Sequence, residues 1–283
     1  MNTSLITMIR NFSYLRPSYW TVRKATLNNR VVQTLWLNKK TREVITRECP
    51  VCSNRSAYVV RFKFETALIT KFQCCKCAHL FSNNLKADLA TASKLFNYEG
   101  ENSQKQGQEF LIEKLYQLVK DNSRQKQFNL LDFGVGGNLG TVEGLRAKYP
   151  ESHFYACDLY EKKHDYYFQT YHDQSKLGFF DGISSNAVIE HLDNTTEAWA
   201  YLNHLLKPAR LGGGFMVHAF PSQVNEDPFH WAIRIYSHEC LFSKESLRAI
   251  CEKTGFELLH IKYFHQVQHP VFFFRKVADC QLP

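Results

Sequence analysis

The amino-acid sequence predicts an α/β protein built on a seven-stranded, mostly parallel sheet, with a small β module in front of it. From Phe128 onward, apolar strand-like segments alternate with amphipathic helices, which is typical of a parallel sheet covered on both faces. Two close pairs of cysteines, between Cys49 and Cys77, precede that region and indicate a small metal-binding module. We therefore expect two domains, residues 1–95 and residues 96–283.

Charge is distributed unevenly between these two regions. Residues 1–95 carry sixteen lysines and arginines against four acids, a net charge of +12, whereas the remainder of the chain has a net charge of −4. This asymmetry indicates that the N-terminal region meets an anionic partner, with a solvated basic face as the alternative. No apolar run approaches the ~20 residues that span a bilayer, and Arg10 and Arg16 interrupt any signal-peptide core. These features predict a cytoplasmic protein without a membrane partner.

The N-terminal region is expected to form short antiparallel strands. Arg30–Asn38 predicts a strand, Lys39–Arg42 a turn and Glu43–Arg47 the return strand. The stretch Tyr58–Phe72 is strand-like and long enough for a hairpin between the two cysteine pairs. Helical spacing of apolar residues predicts two helices that connect this region to the sheet, Asp88–Phe96 and Gln108–Asp121.

The C-terminal region predicts the large sheet element by element. Its candidate strands are Phe128–Phe133, His153–Cys157, Tyr166–Thr170, Gly182–Ser184, Gly214–Ala219, Phe256–Tyr263 and Val271–Val277. The helices between them are Leu139–Tyr149, Thr195–Leu206 and Lys244–Thr254. No helix separates the last two strands, so we expect them to pair antiparallel at the edge of the sheet.

A glycine-rich turn follows the first strand of this sheet. Residues 130–137 read Leu-Leu-Asp-Phe-Gly-Val-Gly-Gly, and the second strand ends at Asp158. Glycines let the backbone approach a ligand and the acid accepts ribose hydroxyls, so this pair predicts a pocket for an adenosine-type cofactor. A dinucleotide fingerprint would place its third glycine at Leu139, which disfavours NAD, and no Gly-Lys-Ser/Thr follows for a P-loop.

Several spaced motifs over residues 96–278 resemble the class I S-adenosylmethionine-dependent methyltransferases, which have a Rossmann-like fold. The first is the glycine turn with its preceding acid. The second, Phe180–Leu192, contains Glu-His-Leu and resembles the segment around the family's fourth strand. Leu206–Pro208 with the glycines after Leu211 resembles its turn into strand five, and Leu241–Phe256 its last helix and sixth strand. Asn138 in the turn and the insertion Ala209-Arg210 depart from the family pattern.

The resemblance implies S-adenosylmethionine as the cofactor and a role for each matching residue. Asp132 would orient the methionine end, the glycine turn would close over the cofactor, and Asp158 would hold both ribose hydroxyls. An acid near the adenine amine and a contact from the fourth strand complete the set. The implied cofactor-binding residues are Asp132, Gly134, Gly136, Gly137, Asp158, Asp173 and Asn186.

The cysteines predict a structural zinc site. Cys49 and Cys52 form one C-x2-C pair, Cys74 and Cys77 form another, and 21 residues separate the pairs. This arrangement fits a zinc ribbon whose four thiolates fill the tetrahedral positions. Alternatives are the neighbouring Cys75 in place of Cys74, His79 in place of Cys77, or free and redox-active thiols without a metal. The residue after each pair, where glycine is common, is Ser53 and Ala78.

Three histidines are candidates for a general base, because active sites of such sheets open after the fourth and fifth strands. They are His218, at the end of the fifth strand, and His230 and His238 in the aromatic-rich segment from Pro221 to Cys240. In related enzymes with a zinc module, a histidine or tyrosine here serves substrate chemistry, and His238 aligns best with it. A structural role is the alternative for each of them, and for Glu190 and His191.

Three functions are compatible with these features. The resemblance favours a methyltransferase acting on a small molecule, such as a saccharide or nucleotide-sugar. A ribosomal-RNA methyltransferase is the alternative that the +12 N-terminal region supports, although no Asn-Pro-Pro-Tyr motif follows the fourth strand. A non-catalytic cofactor-binding scaffold is the third, and the intact Asp132, Gly134, Gly136 and Asp158 argue against it.

Overall fold

A computed structural model describes residues 21–27, 30–36, 44–64, 67–82, 101–136, 139–158, 164–169, 174–192, 195–222, 238–267 and 269–281. The chain divides into two units. The first comprises Met1–Leu95 and Gln223–Ser246, and the second comprises Phe96–Ser222 and Leu247–Pro283. Residues 238–246 thus belong to the first unit, although the sequence analysis placed them in the domain of residues 96–283.

The second unit contains the predicted seven-stranded sheet. Its strands are β7 Asn129–Phe133, β8 His153–Asp158, β9 Tyr167–Gln169, β10 Gly182–Asn186, β11 Phe215–Ala219, β13 Phe256–Lys262 and β14 Val271–Lys276. They lie in the order β13-β14-β11-β10-β7-β8-β9. The five strands from β11 to β9 in this order pair in parallel, whereas β14 pairs antiparallel with both β11 and β13, as expected. This confirms the predicted α/β fold.

Helices cover both faces of this sheet. Their bounds are α1 Glu101–Asn122, α2 Leu139–Lys148, α3 Thr195–Leu205 and α4 Lys244–Thr254. On one face, α1 packs so closely that a Cβ on Gly182 would lie 2.7 Å from Leu115. On the other face, Trp199 of α3 contacts Phe274 edge-on, with 5.1 Å between ring centroids. Because apolar side chains alternate along β11 and β14, each face supplies half of the core.

The Asn203 side chain on α3 makes hydrogen bonds to the end of α4 and to the chain after β14. Its amide nitrogen donates to the carbonyls of Thr254, at 2.8 Å, and Ala278, at 2.9 Å, while its amide oxygen accepts from the Cys280 N–H at 2.9 Å. The side chain is fully buried. One amide thus satisfies the end of α4 and the chain after β14, where backbone groups lack a ladder partner.

The first unit is an antiparallel sheet in the order β1-β2-β4-β5-β6-β12, with β3 also paired to β4. The bounds are β1 Thr21–Leu27, β2 Arg30–Trp36, β3 Val44–Thr46, β4 Ser56–Phe64, β5 Ala67–Cys74, β6 Leu80–Ser82 and β12 Cys240–Leu241. The hairpin expected between the cysteine pairs is β4–β5 and is confirmed. The predicted helix Asp88–Phe96 and turn Lys39–Arg42 lie outside the described residues.

The predicted hairpin between Arg30–Asn38 and Glu43–Arg47 is wrong. Both segments form strands, but β2 pairs with β1 and with the Arg61–Phe64 end of β4, whereas β3 pairs with the Ser56–Tyr58 end. The nine-residue β4 is long enough to offer one edge to two shorter strands. Local patterning identified the strands but not their partners.

Residues 238–246 complete the first unit from far along the chain. Cys240 and Leu241 form β12, which pairs with β6, and the Ser82 N–H donates to the Glu239 carbonyl at 2.8 Å. The Ser243 hydroxyl donates to the Cys77 carbonyl at 2.5 Å. These contacts close an edge of β6 that would otherwise be unpaired.

Candidate functional site

The glycine turn after β7 has the tight geometry that its sequence predicts. The N–H groups of Gly134 and Val135 both donate to the Cys157 carbonyl, at 2.9 and 3.1 Å. Gly134 has φ 78°, and a Cβ on it would lie 2.5 Å from Val188. Gly136 has φ 58°, but a Cβ there would meet no heavy atom within 4 Å among the described residues. The first glycine is therefore required by packing, whereas the described residues leave room beside the second.

Two acids flank this turn at the ends of neighbouring parallel strands. Asp158 ends β8, and its Oδ2 accepts a 2.7 Å hydrogen bond from the Gly136 N–H. Asp132 lies one residue before the end of β7, opposite Ala156 in the register. The carboxyl ends of both strands thus place the two carboxyl groups beside the same turn.

Asp132 is buried, and no described residue pairs with its Oδ2. Burial raises the pKa of this carboxyl to about 7, a hydrogen bond with Ser184 opposes the rise, and the Asp158 charge adds to it. An unpaired buried carboxyl oxygen is costly unless a ligand supplies a donor. The site therefore fits a ligand that brings a cationic or N–H group to this end of β7.

Helix α1 contributes two residues beside the turn that sequence reasoning missed. A Cβ on Gly107 would lie 3.2 Å from Nδ2 of Asn186 and 3.4 Å from the Gln266 carbonyl. The next residue, Gln108, is buried, and its Nε2 donates to the Val135 carbonyl at 3.3 Å. A glycine inside a helix disfavours the helix by ~1 kcal/mol, which was the available signal of a close approach.

The structure brings together Asp132, Gly134, Gly136, Asp158 and Asn186 of the predicted cofactor set at the carboxyl ends of β7, β8 and β10. Gly137 and Asp173 lie outside the described residues, and so does His230.

The two described candidate histidines have different surroundings. His218 is fully buried, its Nδ1 lies 2.5 Å from the Ser185 hydroxyl, and its ring contacts Trp199 edge-on. Burial lowers the pKa of His218 to about 3, so the imidazole is neutral, which favours a structural role. His238 lies in the first unit, directly before β12, and its carbonyl accepts from the buried Lys71 ammonium at 2.5 Å.

Glu190 is a buried acid that the sequence singled out without a firm role. It lies in a one-turn 3₁₀ helix, Ile189–His191, that follows β10, and its side chain is 1% exposed. No described residue pairs with either carboxyl oxygen, and burial raises the pKa of Glu190 to about 8.

The four predicted metal ligands lie together in the first unit. The Sγ atoms of Cys49, Cys52, Cys74 and Cys77 are all within 4.8 Å of one another. Cys49 and Cys77 are 3.7 Å apart, and Cys52 and Cys74 are 3.5 Å apart. The hydrogen bond from Cys77 lowers the pKa of Cys49 to about 6, so a thiolate is accessible in this cluster near neutral pH.

Both cysteine pairs lie in turns of the same form. The Ser53 N–H donates to the Cys49 carbonyl at 2.9 Å, and the Ala78 N–H donates to the Cys74 carbonyl at 3.0 Å. Ser53 and Ala78 have φ of 56° and 55°, so each adopts the left-handed conformation usually reserved for glycine. The absence of glycine therefore leaves the turn geometry intact.

The alternative ligands are not part of this group among the described residues. Cys75 is exposed. His79 is fully buried, with its ring stacked on Phe81 and 5.0 Å from the ring of Phe242. Burial lowers the pKa of His79 to about 3.

A comparison with solved structures finds matches of low sequence identity. A SAM-dependent methyltransferase from Thermotoga maritima is 16% identical, with a TM-score of 0.44, over 66% of this chain and 99% of that one. The CurJ carbon methyltransferase is 17% identical, with a TM-score of 0.44, over 68% and 59%. The [4+2]-cyclase SpnF is 12% identical, with a TM-score of 0.42, over 58% and 80%. A comparison with curated proteins finds no match.

No helix in the described part of the chain is both long and apolar enough to cross a membrane. A family model described as a methyltransferase domain matches residues 103–261, which is more than half of the 283 residues and includes the glycine turn, both acids and the strands that carry them. The chain therefore belongs to this methyltransferase domain family.

Proposed function

We propose that the second unit binds S-adenosylmethionine at the carboxyl ends of β7, β8 and β10 and transfers its methyl group to an acceptor. The observation that carries the proposal is the buried Oδ2 of Asp132, which has no hydrogen-bond partner among the described residues. The ammonium group of a sulfonium cofactor supplies a donor for this oxygen, and its ribose supplies hydroxyl donors for Asp158.

Different described residues bind different parts of that cofactor in this proposal. Asp132 accepts from its methionine end, and Asp158 accepts the ribose hydroxyls. Asn186 borders the same space from β10, and the predicted contacts of Gly137 and Asp173 extend the site. When bound, the cofactor supplies an electrophilic methyl group, and the protein aligns the acceptor with it.

For the acceptor we propose a small molecule, with a saccharide or nucleotide-sugar as the leading class; the Glu190-His191-Leu192 motif and the aromatic-rich segment from Pro221 to Cys240 favour it. Deprotonating a hydroxyl or an acidic carbon requires a general base. The sequence predicts His238, His230 or His218 for this role. His218 is the weakest of the three predicted bases because its ring is enclosed in the core.

The cysteine cluster supports a structural Zn²⁺ ion. Tetrahedral zinc with Zn–S bonds of about 2.3 Å places its sulfur atoms about 3.8 Å apart. The Sγ–Sγ distances of 3.5 Å for Cys52–Cys74 and 3.7 Å for Cys49–Cys77 are close to that separation. Four cysteines fill every tetrahedral position, which is typical of structural rather than catalytic sites.

An RNA acceptor is the second candidate, and the net charge of +12 over residues 1–95 favours it. Lysine and arginine contacts to phosphates make RNA affinity fall steeply with salt. Binding to ribosomal RNA that stays constant between low and physiological salt would exclude this electrostatic contribution.

The proposal is tested by calorimetry with S-adenosylhomocysteine, the demethylated product, followed by a methyl-transfer screen with labelled cofactor against metabolite pools and ribosomal RNA. We expect one ligand per chain and label in a small-molecule fraction. Absence of binding would overturn the cofactor assignment, and label confined to RNA would overturn the small-molecule acceptor.

A further inference from the structure

In the side-chain amide of Gln108 on α1, the nitrogen has a hydrogen-bond partner, whereas the oxygen has none among the described residues. Its side chain is 5% exposed, and Nε2 donates to the Val135 carbonyl in the glycine turn at 3.3 Å. Because a carbonyl can only accept, this bond determines which end of the amide faces the turn. Oε1 is then a buried acceptor, and no described residue donates to it.

A second buried acceptor lies at the same end of β7. Oδ2 of Asp132 is unpaired among the described residues, three positions before the Val135 carbonyl that holds Gln108. Two unsatisfied acceptors, one of them a carboxyl, disfavour a ligand group that is itself an acceptor. They favour a group with several N–H donors and a positive charge.

The position of Gln108 is set by the residue before it. Gly107 has no side chain, and a Cβ there would lie 3.3 Å from Val267 as well as close to Asn186. This allows α1 to approach the carboxyl ends of β7 and β10 and brings the Gln108 amide to the turn. The helix therefore supplies a buried amide oxygen beside the turn, outside the predicted motifs.

We propose that Oε1 of Gln108, together with Asp132, accepts hydrogen bonds from the ammonium group of the cofactor's methionyl portion. This inference rests on the proposed function, because it assigns one end of the same cofactor site. Gln108 would then bind the amino-acid end of the cofactor and contribute nothing to its adenosine end.

The test compares two ligands that share an adenosine end. S-adenosylhomocysteine carries the ammonium group, whereas 5′-methylthioadenosine lacks the whole amino-acid portion. We expect Gln108→Leu to weaken binding of the former about tenfold in calorimetry and to leave the latter unchanged, since one charged hydrogen bond is lost. Gln117→Leu, an exposed position on the same helix, is the matched control and should change neither affinity.

A second variant guards against misfolding. Gln108→Met keeps the length and unbranched shape of the side chain but has no amide, so it should reproduce the ligand-specific loss. Equal weakening of both ligands, or no weakening of either, would overturn the role of Gln108. Failure of the unmodified protein to bind either ligand would instead overturn the proposed function, so the two failures are distinguishable.

Discussion

The carboxylate of Asp158 accepts a 2.7 Å hydrogen bond from the Gly136 N–H, which joins the end of β8 to the turn after β7. This contact holds the Asp158 side chain beside the glycine turn that follows β7. The position of Asp158 leads to the first prediction.

Replacing Asp158 with alanine should weaken S-adenosylhomocysteine binding at least about 100-fold, because two charge-assisted hydrogen bonds of ~1.5–3 kcal/mol each are lost. Calorimetry measures the change. Asp121→Ala, at an exposed acid near the end of α1, is the control and should bind like the unmodified protein. Unchanged affinity in Asp158→Ala would remove the proposed ribose contact.

Ligand affinity should depend on pH through Asp132. Burial raises the pKa of this carboxyl to about 7, so it is mostly protonated below that pH, whereas an ammonium group binds best to the ionised form. Affinity for S-adenosylhomocysteine should therefore fall by about tenfold between pH 8 and pH 6. In Asp132→Asn the affinity should be weak and nearly independent of pH over this range. A flat profile in the unmodified protein would contradict the assignment.

The same carboxyl should destabilise the free protein at high pH. Its pKa in the fold, about 7, exceeds its ordinary value of 3.8, so the folded state holds a proton that the unfolded chain releases. The contribution of this group to stability is therefore greatest at low pH and falls as the pH rises from about 4 to 7. Asp132→Asn should raise the free energy of unfolding at pH 8 by about 1–3 kcal/mol.

Denaturant unfolding of both proteins at pH 5 and pH 8 checks this prediction. Glu190 also has a raised pKa and contributes a slope of the same sign. The informative quantity is therefore the difference between Asp132→Asn and the unmodified protein, which should be larger at pH 8. A difference that shrinks with rising pH would contradict the linkage.

Loss of one cysteine of the cluster should release the metal and unfold the first unit. Cys52→Ser removes one of four ligands, and structural zinc in small modules supplies about 10 kcal/mol or more of folding free energy. Metal analysis should fall well below one zinc per chain. Cys75→Ser, an exposed cysteine outside the cluster, should retain the metal. Equal zinc in both variants would exclude Cys52 as a ligand.

Glycine at the two left-handed positions should stabilise the cysteine turns. Ser53 and Ala78 adopt φ near 55°, a conformation that costs a non-glycine residue ~1–2 kcal/mol. Glycine avoids this cost, but it loses ~0.5–1 kcal/mol more backbone conformational entropy on folding. Ser53→Gly and Ala78→Gly should each raise unfolding stability by about 0.5–1 kcal/mol. Ala57→Gly, at a buried position near the start of β4, should lower it. Thermal unfolding of the three variants is the measurement.

The sequence by itself determined much of this protein. The periodicity of apolar residues and the positions of glycines predicted the sheet from Asn129 to Lys276, including its antiparallel edge, because strand and helix signals are local. The spacing of Cys49, Cys52, Cys74 and Cys77 predicted the cluster, because short turns carry each pair. The glycine turn with Asp158 predicted the adenosine pocket for the same reason.

Only the tertiary structure decided which distant residues meet. The pairing of β3 with β4 and of Cys240–Leu241 with β6 depends on which strand edges are free, and no local pattern encodes that. Gln108 belongs to a helix that precedes every recognised motif of the cofactor site, and the lack of a partner for its oxygen among the described residues becomes evident only where α1 reaches the turn. Packing likewise encloses His218, because alternation along β11 turns its ring into the core rather than toward the end of the strand.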